Sequence, residues 1–368
     1  MGIPAQHYMH DSDRAALSAL KAIPGFSLLT KAFMKIWNEK QFHIQNLSSN
    51  IRINERQLRE YYDLLPPICE KLGIDIPEMY LSLDVNPNAY TYGDTKPFVV
   101  VTSGLLETMP AHLIPTVIAH ECGHIACHHT LYTTMARLLI NSTSSFFELG
   151  QLATFSIIVA LNYWMRCSEY SADRAAALYD GHAENIVEMC MRFSGLDKDL
   201  GFTIDKEAYI EQALEYRSFI SDSTWNKALE FLVLSNVDHP LNAVRAYECD
   251  QWVQTEQFRN IHNYANNSIS LTGFEETMGY ITMPRSSREY MNIPATQLAA
   301  EFTDLGFTNV QLTPAADRNL LMRSGQVINL SVGGVTAFEA YTKFPKDASI
   351  IIKYNPEAES NPLSFLFG

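Results

Sequence analysis

The sequence predicts an α+β fold: a mostly helical domain holding a small sheet, followed by a small C-terminal α+β module. Three observations carry this. Apolar residues recur at helical spacing through most of the first 260 residues. Two apolar runs there, residues 76–84 and 98–106, read as strands bounded by turn residues. Near residue 265 the pattern changes to short alternating runs broken by glycine. A length of 368 residues suits two domains with an extension. With 47% hydrophobic and 18% charged residues, the composition excludes a disordered, collagen-like or coiled-coil chain.

In chain order, residues 15–47 predict an amphipathic helix with Phe26, Leu29, Phe33, Ile36 and Trp37 on one stripe and Lys31, Lys35 and Lys40 off it. Asn54 precedes a helix closed by Gly73 and bent by Pro66 and Pro67. The 76–84 strand turns Met79, Leu81 and Leu83 to one face. NPNAYTYGDTKP is turn-rich, and the 98–106 strand stops at Ser103-Gly104. A helix runs from about residue 113 to beyond 131, with Pro115 in its first turn, where a missing N–H is harmless. Residues 134–165 are helical by composition. Another helix runs through SEYSADRAAALYD to Gly181, and further helices follow to about 260, with a break at Ser194-Gly195 and a turn at His239-Pro240. After a linker at 266–289, a helix starts at Pro294 and stops at Gly306, with Leu298, Phe302 and Leu305 as its stripe. Short strands then follow: NVQLT, QVINLSV, a hairpin turn at Gly333-Gly334, VTAFEAY and ASIIIKY. The expected division is a helical extension (1–54), a main domain (55–265), the linker, an accessory module (290–356) and a tail (357–368).

Composition also narrows the function. A net charge of −14, with no block of clustered Lys or Arg, argues against a nucleic-acid partner. Six cysteines in a long chain, none in a C-x-x-C pair, fit a reducing compartment better than a disulfide framework. The N-terminus shows no apolar h-region, so no secretory leader is expected and the expected location is cytoplasmic. Residues 149–165 (LGQLATFSIIVALNYWM) carry no charge. Their length sits at the bottom of the range of about 17–25 for a spanning helix. Two readings stay open: a buried core helix, favoured on length, and peripheral membrane contact.

The informative segment is VIAHECGHIACHH. His120 and His124 are four apart on a predicted helix, which puts both imidazoles on one face within reach of a single cation. Glu121 lies one residue round, beside the metal, where it can take a proton from water. Gly123 leaves room for close approach of another segment. Incidental polar residues are the alternative, but two imidazoles and a carboxylate in an apolar run are costly without partners. Catalytic zinc takes three protein ligands. Glu169 in RCSEYSADRAA is the candidate third, with Asp173 four residues on to accept from a ligating histidine. The competing reading makes these two solvated acids paired with Arg166 and Arg174. His128 shares a face with His124 but lies about 6 Å along the helix, and is expected to support the site or join the core.

These elements together resemble the HtpX-like and CaaX-prenyl-endopeptidase-like zinc metallopeptidases of the gluzincin type. The likeness runs in order through Asn88-Ala89-Tyr90, VVVTSGLL, AHECGHIACHH, SEYSADR and a late His239-Pro240…Arg245 element, over roughly residues 55–250. It implies a zincin-type domain with one zinc on His120, His124 and Glu169, Glu121 as general base and Asp173 in support. It implies that the segment at Asn88, Ala89 and Tyr90 is an edge strand where an extended peptide adds. His239 and Arg245 are implied to lie near the cleft, one of them facing the oxyanion. The chain departs from membrane-bound members in having only the 149–165 stretch as a candidate span. TYGDTKP also replaces the family's usual glycine run. The expected activity is a zinc-dependent endopeptidase acting on protein or peptide substrates. The alternatives are a membrane-surface form of the same enzyme and a catalytically idle zinc-binding scaffold.

Overall fold

The stripe predicted over residues 15–47 is built as three helices, α1 (Asp11–Ala22), α2 (Phe26–Ile36) and α3 (Glu39–Ser49). Pro24 disfavours helix at the residue before it and Gly25 takes φ +92°, so one long helix cannot run through. The computed structural model describes residues 2–36, 39–141, 151–196, 204–223, 226, 229–230, 233, 239, 241–266, 279–315, 319 and 322–356. Trp37, Pro240, residues 142–150 of the predicted 134–165 helix, 267–278 of the predicted linker and the tail 357–368 lie outside them. The chain divides into two compact units, Met1–Leu271 and Thr272–Gly368.

In the first unit, β1 (Ile51–Ile53) is a strand the sequence did not suggest. Asn54 caps a turn rather than a helix, its Oδ1 accepting from Arg56 N at 2.8 Å. The prolines split the predicted helix into α4 (Arg59–Tyr62) and α5 (Leu65–Leu72), with both in the opening turn of α5 and Gly73 closing it at φ +69°. β2 (Glu78–Ser82), β3 (Ala89–Tyr92) and β4 (Phe98–Thr102) join β1 in a sheet of order β1-β2-β4-β3. β2 and β4 run parallel, whereas β3 is antiparallel to β4 and forms an edge. Leu83 falls beyond the end of β2 and is 91% exposed, not on the apolar face assigned to it. Thr102 ends β4 and caps α6 (Ser103–Thr108), its hydroxyl accepting from Leu105 N.

The helix predicted from 113 past 131 is two: α7 (Ile114–Ala126) and α8 (Thr130–Asn141). The break is at His128, whose φ is +56°. His129 N donates to His124 O at 2.9 Å and His128 N to Ile125 O at 3.0 Å. This paired closure satisfies the carbonyls at the end of α7 and reverses the chain. The two helices predicted on either side of Arg166 are one, α9 (Gln151–Asp180), stopped by Gly181 at φ +85°. Ile157, Leu161 and Trp164 of the uncharged stretch are buried against Leu20, Phe26, Leu29, Phe33 and Met135. Among the described residues no helix is long and apolar enough to cross a membrane. α10 (Glu184–Phe193), α11 (Lys206–Ser221), α12 (Asn242–Val253) and α13 (Glu256–Ala265) complete this unit.

The second unit has its own core. β5 (Tyr280–Thr282) pairs antiparallel with β8 (Lys343–Pro345), so a strand lies inside the stretch read as linker. β6 (Val310–Pro314), β7 (Val327–Val332) and β9 (Ile350–Tyr354) form a sheet of order β6-β9-β7. Leu298 and Phe302 of α14 (Ala295–Asp304) are buried with Leu330, Val332, Ile350 and Ile352. VTAFEAY is not a strand. Gly333-Gly334 does make the two-residue turn, closed by an antiparallel Val332–Val335 bridge, but pairing stops there: Phe338 instead exchanges bonds with Ser287 and is buried in this core.

Candidate metal centre

Two i, i+4 pairs on two packed helices make the centre. α7 carries His120 and His124, with ring centroids 4.9 Å apart. α9 carries Glu169 and Asp173. Gly123 lets the helices meet: a Cβ there would stand 2.7 Å from Ala175 Cβ and 3.1 Å from Ala172 Cα. The Glu169 carboxylate then divides between the imidazoles, Oε2 at 3.5 Å from His120 Nε2 and Oε1 at 3.3 Å from His124 Nε2. Asp173 Oδ1 lies 2.9 Å from His120 Nδ1, on the other side of that ring. The solvated-acid alternative does not hold. Glu169 and Asp173 are buried, Arg166 pairs with Glu230, and Arg174 donates to Tyr8 O.

Glu121 is buried, and Thr91 of the edge strand donates to its Oε2 at 2.7 Å. Ala89 and Tyr90 belong to β3 and Asn88 immediately precedes it. His239 is brought in, its Nδ1 at 2.7 Å from Glu169 Oε2 and its Nε2 at 3.1 Å from Ala89 O and 3.9 Å from Glu121 Oε1. Arg245 also lies at the site, behind the carboxylates. It is 1% exposed, donates to both Asp173 oxygens at 2.7 and 2.8 Å, and sets Nη1 3.2 Å from Glu169 Oε2. A guanidinium spent on two carboxylates is not free to face an oxyanion. A cavity of about 20 Å3 lined by Tyr90, Thr91, Glu121, His124, Glu169 and His239 has room for about one water molecule.

The charges agree with the geometry. Burial alone would raise the Glu169 carboxyl, but the neighbouring His239 and Arg245, with His120 and His124 beside it, hold it well below the usual range. Burial would also raise Asp173, yet Arg245 and His120 hold it at about 2. His120 moves the other way: burial lowers it, but the adjacent Asp173 and Glu169 carboxylates outweigh that and raise it to about 9. Three carboxylates, of Glu121, Glu169 and Asp173, face three imidazoles, of His120, His124 and His239, and the Arg245 guanidinium.

The residues fit a bound metal. His120 Nε2 is buried and has no hydrogen bond among the described residues, a costly arrangement for an imidazole nitrogen unless it ligates something. Donor atoms of His120, Glu121 and His124 lie within 4.8 Å of one another, as do those of His120, Glu169 and His239. Two imidazoles and a carboxylate are a donor set that suits first-row divalent metals.

Two neighbours were not singled out by sequence. Thr91 lay in a segment read as turns. His129 lies five residues from His124 and beyond the helix, so helical periodicity could not place it. The reversal at His128 folds it back, with Nδ1 2.9 Å from His124 Nδ1. His128 itself is exposed and neither supports the site nor joins the core. The adjacent CHH triplet was the available signal.

A family profile described as Peptidase family M48 matches residues 63–253. The chain is similar to Plastoglobule-localized metallopeptidase 48, chloroplastic, of Arabidopsis thaliana, at 29% identity over 271 residues, 73% of this chain and 78% of that protein. It is also similar to Protease HtpX homolog of Campylobacter concisus (strain 13826), at 26% identity over 36% of this chain and 56% of that protein.

Proposed function

The chain belongs to peptidase family M48, and from that premise we propose a zinc-dependent metalloendopeptidase in which Glu121 activates the attacking water. Membership makes it a hydrolase of proteins or peptides that uses a metal cofactor. Zinc as that metal, one per chain on His120, His124 and Glu169, is our reading. The observation that carries it is the buried, unbonded Nε2 of His120 converging with His124 on the Glu169 carboxylate.

Bound zinc supplies Lewis-acid polarisation of the scissile carbonyl and lowers the pKa of water. Glu121 takes the proton from the attacking water and returns it to the leaving amine. The bond from Thr91 fixes the orientation of that carboxylate and ties the base to the edge strand. A substrate peptide adds in extended form along β3, so the strand that receives the scissile bond also aligns the base. His239 stands between Glu121 and Glu169, and we assign it to the developing oxyanion as a donor whose Nε2 must first leave Ala89 O. Arg245 and Asp173 position the carboxylate ligand and the His120 ring. We read the protein as cytoplasmic, supported by six buried, free cysteines. Liposome flotation tests this, with the protein expected to stay out of the lipid fraction.

The deciding experiment is Glu121→Gln with metal analysis. The variant is expected to keep about one zinc per chain and to lose cleavage of casein. Cleavage at the parent's rate overturns the assignment of the base, and a parent without zinc overturns the metal site.

A further inference from the structure

We propose that Asp13, on α1, sets the tautomer and orientation of His124 through His129, making the N-terminal helix a working part of the metal centre. The inference rests on the reading of His124 as a metal ligand. Asp13 lies outside residues 63–253, the segment matched by the family profile.

The chain of contacts is continuous and buried. Asp13 Oδ2 lies 2.9 Å from His129 Nε2, and His129 Nδ1 lies 2.9 Å from His124 Nδ1. Asp13 and His129 are each 0% exposed. Two further donors fix the character of the carboxylate: Ser171 Oγ donates to Oδ2 at 2.6 Å and Trp164 Nε1 to Oδ1 at 2.9 Å. A carboxylate receiving such bonds is an acceptor only. Burial alone would raise this carboxyl, but His129, Ser171 and Trp164 bring it below its usual value.

The proton positions follow in order. Facing an acceptor, His129 Nε2 must carry hydrogen. In a neutral ring its Nδ1 then holds the lone pair. His124 Nδ1 must donate to it, which leaves the lone pair of His124 on Nε2, the nitrogen 3.3 Å from Glu169. One negative charge, two residues away, thus selects the only tautomer that can ligate from Nε2. Trp164 meets the His129 ring edge-on, with centroids 5.6 Å apart at 83°, and holds its plane. His120 reaches Asp173 directly on the next helix, whereas His124 reaches Asp13 through an intervening imidazole. Partners of this kind orient a ligating histidine and raise its basicity.

The test separates a positioning role from a merely structural one. Nitrogen-15 NMR of the histidine rings in the metal-free parent should show His124 protonated at Nδ1 and His129 at Nε2. Protonation of His124 at Nε2 overturns the proposal with no variant needed. Zinc affinity is then measured by chelator competition for Asp13→Asn, His129→Phe and the double variant. Each single change is expected to weaken zinc binding by about 10–100-fold, and the double change no more than the worse single one, because both interrupt one path. Unchanged affinity, or losses that add, overturns the relay. His124→Ala separates the two readings. If it leaves zinc affinity untouched, the metal assignment itself fails. If it abolishes binding while Asp13→Asn binds like the parent, only the relay fails.

Discussion

Arg245 shows how much a single buried charge holds in this centre. Its guanidinium donates to both oxygens of Asp173 and faces Glu169, so three charges are removed from water together. Such a group is stable only while complete, because deleting one partner leaves the others buried and uncompensated. Arg245→Met is therefore expected to destabilise the metal-free protein by about 3–5 kcal/mol, measured by urea unfolding. Arg245→Lys should recover little of this, since an ammonium cannot reproduce the two-pronged bond to a carboxylate. A loss within 1 kcal/mol would mean the pair behaves as an exposed one. At this scale the candidate ligands were legible because their signal is local: spacing of four on a helix aims two side chains together. The role of Arg245 was not legible, because the direction of a long side chain depends on where α12 lies relative to α9.

Between elements, the approach of α7 to α9 decides whether the candidate ligands meet. Gly123 has no Cβ at the point where Ala172 and Ala175 pass, and a methyl group would press on backbone as well as side chain. Gly123→Ala is expected to cost about 1–3 kcal/mol by overpacking and to weaken zinc binding, because separating the helices draws Glu169 away from both imidazoles. Chelator competition and thermal unfolding on one sample check the two effects together. A second link joins α3 to the turn after the edge strand. Glu39 accepts from the backbone N of Thr95 at 2.8 Å and from that of Asp94. Burial opposes ionisation, but the Thr95 hydroxyl and these amides outweigh it and lower the Glu39 pKa. A carboxyl lowered on folding contributes stability that is complete above its unfolded value, about 4.3, and is lost as pH falls through the folded value. Glu39→Gln should therefore flatten the acid limb of the stability profile below about pH 4.3 while leaving the neutral region's slope unchanged. An identical acid limb in parent and variant would refute this. Element boundaries were the least legible feature of the sequence. The breaks at Gly25 and His128, and the fusion of two predicted helices into α9, depend on how the chain reverses and packs.

In the whole molecule, two cores serve different ends. In the first unit the candidate ligands lie between α7 and α9, and α9 packs on α1, α2 and α8, so metal binding is expected to act on that unit's stability, whereas α14 and β7 pack in the second unit's own core. At a free zinc concentration of 1,000 times its Kd, linkage adds about 4 kcal/mol to the stability of the unit that binds. Hydrogen exchange with and without chelator checks this: protection is expected to fall in α7 and α9 on metal removal and to stay constant in α14 and β7. A uniform loss would tie the metal to both cores. By itself the sequence determined the fold class, the helix bearing His120, Glu121 and His124, and the acids at 169 and 173. Those follow from periodicity and spacing, which act over one or two turns of chain. The tertiary structure alone decided that Arg245 clamps carboxylates, that Thr91 bonds to Glu121, and that Asp13 meets His129 across 116 positions of sequence. Contacts at that separation come from packing of whole elements, and local spacing carries no record of them.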